Sequence, residues 1–201
     1  MGDAVTYPGW SRWAPPFRVV PSDRVRFQGI FKMLASGGFV TLGLARSTGD
    51  SYSRWMLLGL VLSAAGDAFL LSDAPRAFLA GLSAFLLAHL AYAAAFAPIS
   101  HPSLPVLAGV ATFTAGVLAW LWPRLGAMRV PVVAYASVIG GMVWLATGVD
   151  GALVPVGALL FWGSDLLVAK RQFGPRSPLD LAVGWPLYFT GQYLLALSIG
   201  R

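Results

Sequence analysis

The chain contains no cysteine. That absence excludes a disulfide framework, a cysteine-bound zinc site and a thiol nucleophile. Charge is scarce as well: 11% of the 201 residues are Asp, Glu, Lys or Arg, against roughly 25% in an average soluble domain. A soluble fold of this length could not cover its surface from that supply. Histidine occurs twice; a pair of Asp with one distant His is a poor transition-metal set, so no metal and no other cofactor is expected. No elbow-type motif marks a serine nucleophile. Met1–Arg26 lacks an apolar core, so no cleavable signal peptide is read there.

What the chain does hold is apolar residues, at 57% of the total. A bilayer removes the need for a polar exterior, since Leu, Ala, Val and Phe can face lipid. The composition therefore predicts one membrane domain, with no room for a second, soluble one. The formal charge of +6 does not point to nucleic acid, because the basic residues lie between apolar segments rather than in one patch.

Seven apolar spans are predicted, making an all-α transmembrane bundle: Phe27–Ala45, Trp55–Ser72, Ala77–Ala97, Leu104–Trp122, Val130–Gly148, Ala152–Ala169 and Leu179–Ile199. Each approaches the ~20 residues that cross ~30 Å of hydrocarbon. Pro98, Pro102, Pro105, Pro123 and Pro178 fall at or near span ends, where a missing N–H does least harm. Pro155 and Pro186 stand inside or near the start of their spans and are candidate kinks. Residues 1–26, with Tyr7, Trp10, Trp13, Phe17, Arg12 and Arg18, are too short to cross and read as a cytoplasmic or interfacial segment. Residues 27–201 form the membrane domain. Ten basic residues fall on one side (Arg12, Arg18, Arg24, Arg26, Arg76, Arg124, Arg129, Lys170, Arg171, Arg176) and three on the other (Arg46, Arg54, Arg201). That asymmetry places the N-terminus in the cytoplasm of a multi-pass protein of the cell membrane.

Three ionisable residues lie inside these spans: Lys32, Asp67 and Asp165. Each costs about 2.5–3.5 kcal/mol on insertion scales, so each asks for a reason. Given the alternating direction of the spans, all three lie roughly 6–9 Å below the cytoplasmic boundary. Tyr135 falls at a similar depth, Tyr188 and Gln192 deeper, His89 and Tyr92 deeper still. Polar groups from six spans can thus converge on one cavity open to the cytoplasm. Plainer readings stand beside this one. Lys32 is long enough to snorkel, His89 and the tyrosines can serve as packing residues, and Gln192 can join helices by a hydrogen bond. Phe161 and Trp162 read as packing residues. Gly66-Asp67-Ala68-Phe69-Leu70 and Ser164-Asp165-Leu166-Leu167 share a small–Asp–x–x–Leu pattern, a trace of duplication or a coincidence in an Ala/Leu-rich chain.

Five motifs carry a family resemblance. They are Ser63-Ala64-Ala65-Gly66-Asp67-Ala68-Phe69-Leu70, Phe85-Leu86-Leu87-Ala88-His89-Leu90-Ala91-Tyr92, Val130-Pro131-Val132-Val133-Ala134-Tyr135, Gly157-Ala158-Leu159-Leu160-Phe161-Trp162-Gly163-Ser164-Asp165-Leu166, and Tyr188 followed by Gln192. In order and spacing they resemble the lysoplasmalogenases, or YhhN-like membrane proteins, over about Lys32 to Ala196. The chain departs from that family in having Met33 where a proline usually follows the lysine, and in showing seven spans where eight are usual. The resemblance implies hydrolysis of the vinyl ether bond of lysoplasmalogens, releasing a fatty aldehyde and a glycerophospho-ethanolamine or -choline. It also implies that Asp67 and Asp165 are the catalytic pair.

The chemistry suits such a pair. A vinyl ether hydrolyses by protonation at the carbon β to oxygen, followed by addition of water to the oxocarbenium ion. The demands are one protonated acid, one anion and one positioned water, the logic of a glycosidase carboxyl pair applied to a lipid. Two neighbouring carboxyls in a poorly hydrated site divide those roles and titrate jointly. Lys32 is expected either to keep one carboxylate ionised or to hold the substrate phosphate. His89, Tyr92, Tyr135, Tyr188 and Gln192 are candidates to bind the headgroup or the water. The expected partners are a lysophospholipid substrate and membrane lipids. A hydrolase of another ether or lyso-lipid, a small proton-coupled transporter and a scaffold protein are the competing readings.

Overall fold

The computed structural model describes residues 22–72, 74–175 and 177–200. Residues 1–21, on which most of the expected interfacial segment falls, lie outside the described residues. Those described form seven α-helices and no strand: α1 (Ser22–Arg46), α2 (Ser51–Phe69), α3 (Pro75–Phe96), α4 (Leu104–Leu125), α5 (Arg129–Thr147), α6 (Leu153–Phe173) and α7 (Pro178–Leu197).

The helices overrun several of the apolar spans, for a physical reason. Hydropathy marks the edge of the hydrocarbon, whereas helix ends are set by caps and hydrogen bonds. Thus α1 begins at Ser22, ahead of the span edge read at Phe27. The Asp50 side chain accepts a hydrogen bond from Ser53 N at 2.7 Å, which starts α2 at Ser51 rather than Trp55. Ser177 and Asp180 form a capping box at the start of α7, and Asp180 Oδ1 also takes Lys170 Nζ at 2.6 Å, tying the last turn of α6 to the first of α7. Such a box satisfies two backbone N–H groups that the helix itself cannot.

Six helices close a ring in the order α1, α2, α3, α5, α6, α7 and back to α1, with α2 also touching α7; α4 lies outside, against α5 and the edge of α6. Gly126, at φ +49°, turns the chain between α4 and α5, a conformation that costs a glycine little. The ring is filled by Phe39, Met56, Leu60, Tyr92, Phe96, Met142, Phe161, Leu195 and Ile199, all fully buried. Its exterior is apolar too: Ile30, Phe31, Leu34, Leu104 and Val130 are each more than half exposed. Three helical stretches, Arg76–Ile99, Leu104–Thr147 (the α4–α5 hairpin) and Leu153–Phe173, are long and apolar enough to cross a membrane. The remaining helices α1, α2 and α7 carry the polar residues described below, which lowers their mean hydropathy. An apolar exterior of this extent belongs to a membrane protein.

Helices α6 and α7 meet backbone to backbone. A Cβ on Gly191 would lie 2.8 Å from Gly157 O and 3.0 Å from Phe161 N. Small residues at such crossings are what allow helices to approach closely in lipid. Gly191→Ala is therefore expected to destabilise the protein by about 1–3 kcal/mol, the usual cost of overpacking. Thermal unfolding of the detergent-solubilised variant measures this; an unchanged midpoint would mean the crossing is looser than described.

Candidate active site

Each of five helices contributes two site residues four apart, so that both stand on one face. They are Lys32 and Ser36 on α1, Ser63 and Asp67 on α2, Phe85 and His89 on α3, Phe161 and Asp165 on α6, and Tyr188 and Gln192 on α7. Helix α3 adds Tyr92 and α5 adds Tyr135; α4 adds none.

The structure gathers these residues into two halves. In the first, Asp67 is 1% exposed. Its Oδ1 pairs with Lys32 Nζ at 3.0 Å. Its Oδ2 accepts from Ser36 Oγ at 2.6 Å and from Tyr188 OH at 2.7 Å. Lys32 Nζ also reaches the backbone oxygen of Asp67 at 3.4 Å. A carboxylate with an ammonium and two hydroxyls is well satisfied as an anion. Of the two parts foreseen for Lys32, pairing with an aspartate is therefore the one its position fits. Ser36 was not visible as a site residue in the sequence, although its place one turn from Lys32 was a usable signal.

In the second half, Asp165 is partly exposed, at 15% of its side chain. Its Oδ2 accepts from Tyr135 OH at 2.7 Å. His89 Nε2 stands 3.6 Å from the same oxygen, beyond hydrogen-bond length, and the imidazole is fully buried. The His89 ring meets Tyr135 edge-on, with centroids 5.3 Å apart, and packs on Phe161 at 4.6 Å. Phe161 touches both halves, since its ring lies 5.3 Å from that of Tyr188. The halves are close enough for the charge of Asp67 to act on Asp165. Deeper in the ring, Tyr92 OH donates to Gln192 Oε1 at 2.7 Å. Trp162 turns outward from this cluster and packs on Phe113 of α4, with centroids 4.9 Å apart.

A separate surface hollow lined by Ser51, Arg54, Trp55 and Leu58 sits at the opposite end of α2. Ser51 and Asp67 are about 24 Å apart along the helix, so that hollow is no part of the acidic cluster.

Fold and cluster together define a class: an all-helical membrane protein in which acids from two separate helices, Asp67 and Asp165, belong to one cluster of polar and aromatic side chains within the apolar body. The chain belongs to the YhhN family, whose model matches residues 27–199. Among its relatives, the mouse protein named lysoplasmalogenase TMEM86B is 34% identical over 208 residues, covering 97% of this chain and 89% of its own length. Human lysoplasmalogenase TMEM86A is 35% identical over 156 residues, 71% of this chain and 64% of its own. The lysoplasmalogenase of Mycobacterium bovis is 35% identical over 131 residues, 60% of this chain and 50% of its own, so the match spans about half the length of that relative. No solved structure matches the chain.

Proposed function

We propose that this protein is a lysoplasmalogenase: a seven-span enzyme of the cell membrane, N-terminus in the cytoplasm, with residues 27–201 as its catalytic domain. It hydrolyses the vinyl ether bond of lysoplasmenyl-ethanolamine or -choline to a fatty aldehyde and a glycerophospho-alcohol. The observation that carries this reading is the unequal company of the two acids. Asp67 has a cation and two hydroxyl donors, whereas Asp165 has one hydroxyl donor, with the His89 ring 3.6 Å away. The relatives' names support the same substrate class.

That inequality supports the following division of roles. Asp165 is the acid and Asp67 the anion. Asp165 gives its proton to the β carbon of the vinyl ether, leaving an oxocarbenium ion that the Asp67 carboxylate stabilises. Water adds to the α carbon and its proton passes to Asp67. The hemiacetal then collapses: its hydroxyl proton returns to Asp165, the bond to the glycerol oxygen breaks, and that oxygen takes the proton from Asp67. Both acids are restored, and one water is consumed. The vinyl ether of a lysolipid sits just below its headgroup, near the depth read for both aspartates, so the lipid need not leave the bilayer.

The test is direct. Purified protein should release aldehyde from lysoplasmenylethanolamine and nothing from the ester-linked lysolipid of equal chain length. Release of fatty acid from the ester, with the vinyl ether untouched, would replace this reading with an acyl hydrolase. Tyr135→Phe should slow aldehyde release by about tenfold at unchanged KM, because Asp165 loses the bond that orients it. Initial rates over a range of lipid concentrations give the split.

A further inference from the structure

Hydrolysis in an apolar body needs a source of water, and the cluster contains groups suited to hold it. One helical turn from Asp67, Ser63 on α2, Tyr92 on α3 and Gln192 on α7 are all 0% exposed. Ser63 stands one turn along α2 from Gly59, against which the Tyr92 ring lies. Yet Ser63 Oγ and Gln192 Nε2 complete no hydrogen bond among the described residues. Buried polar atoms are ordinarily satisfied by protein or by ordered water. Tyr92 is pinned against α2 because Gly59 leaves it room; a Cβ there would lie 2.3 Å from its ring. Gln192 stands one turn along α7 from Tyr188, whose hydroxyl donates to Asp67 Oδ2 at 2.7 Å. Polar groups thus lie in succession from Ser63 through Tyr92, Gln192 and Tyr188 to Asp67, with Tyr92 bonded to Gln192 and Tyr188 to Asp67.

We infer that Ser63 Oγ and Gln192 Nε2 bind one water molecule between α2 and α7, and that this site feeds the hydrolytic step. The assignment rests on the lysoplasmalogenase reading for its second half only. The ligand is water rather than headgroup because Ser63, Tyr92 and Gln192 are uncharged and fully enclosed. A phosphate or an ammonium would be left there without a counter-charge. The water accepts from Gln192 Nε2 and donates to Ser63 Oγ. In turnover its oxygen forms the bond to the α carbon. One of its protons passes to Tyr188, which hands its own hydroxyl proton to Asp67. Ser63 and Gln192 are thus positioning residues for the nucleophile.

Two measurements test this. The first uses Ser63→Val and Gln192→Leu, checked for folding by thermal unfolding, in D2O with lysoplasmenylethanolamine. Starved of water, the oxocarbenium ion returns its proton, and recovered substrate gains deuterium at the β carbon. The expected result is aldehyde release lowered about tenfold or more while that exchange persists or rises. Unchanged aldehyde release overturns the site, and so does equal loss of release and exchange in a folded variant. Loss of both in wild type instead removes the hydrolase reading. The second measurement is an experimental structure resolved well enough to show ordered water. Density bonded to Ser63 Oγ and Gln192 Nε2 supports the binding of water there, while the kinetics test its part in hydrolysis; absence of that density overturns the site.

Discussion

Asp165→Asn is expected to release aldehyde at least about a hundredfold more slowly than wild type, the low end of what a positioned acid contributes, while unfolding at the same temperature. The substitution is close to isosteric. The amide oxygen of Asn can still accept from Tyr135 OH, which now donates to Asp165 Oδ2 at 2.7 Å. The other group beside the carboxyl is His89, 3.6 Å away and buried, and the neutral amide fits next to it. What disappears is the proton that must reach the β carbon. Initial rates together with a melting curve separate the two effects. A variant that is stable and fully active would take Asp165 out of the chemistry.

Lys32→Met is expected to act on stability rather than on one step of the reaction. It leaves Asp67, 1% exposed, without its cation and with only the Ser36 and Tyr188 hydroxyls as donors. Breaking a buried pair from one side typically costs about 3–5 kcal/mol, since the remaining charge has neither water nor partner. Adding Asp67→Asn should recover most of that loss, because a neutral amide needs no counter-ion. Unfolding midpoints of the two single variants and the double variant form the cycle that measures the coupling. If Lys32 merely snorkelled to the interface, the single variant would unfold like wild type and the cycle would show no coupling.

How much of this was legible beforehand follows from what hydrocarbon demands of a sequence. Long apolar runs mark the helices of such a chain, so all seven could be located within a few residues. Lys32, Asp67 and Asp165 stood out because ionisable groups are expensive in that setting. Ser36 and Ser63 did not, because a serine in an apolar helix can return its hydroxyl to the carbonyl one turn back and so need signify nothing. Ser36 does just that, reaching Lys32 O at 3.0 Å as well as Asp67 Oδ2. Nor could the sequence tell that Phe161 bridges the two halves while its neighbour Trp162 faces α4. Both are apolar aromatics on one helix, and only the rotation of α6 distinguishes them. The place of α4 outside the ring agrees with its lack of the polar site residues that the other six helices carry.

In this mechanism a partly exposed acid, Asp165, places a proton on the vinyl ether carbon of a lysolipid. The most direct measurement of that step is turnover of lysoplasmenylethanolamine in D2O, with the product reduced by borohydride as it forms so that later exchange cannot add label. The account predicts a fatty alcohol carrying one solvent-derived deuterium at the carbon next to the former carbonyl, formed by wild type and not by folded Asp67→Asn or Asp165→Asn protein. Product without that label, or the same labelled product from either variant at the wild-type rate, would contradict it.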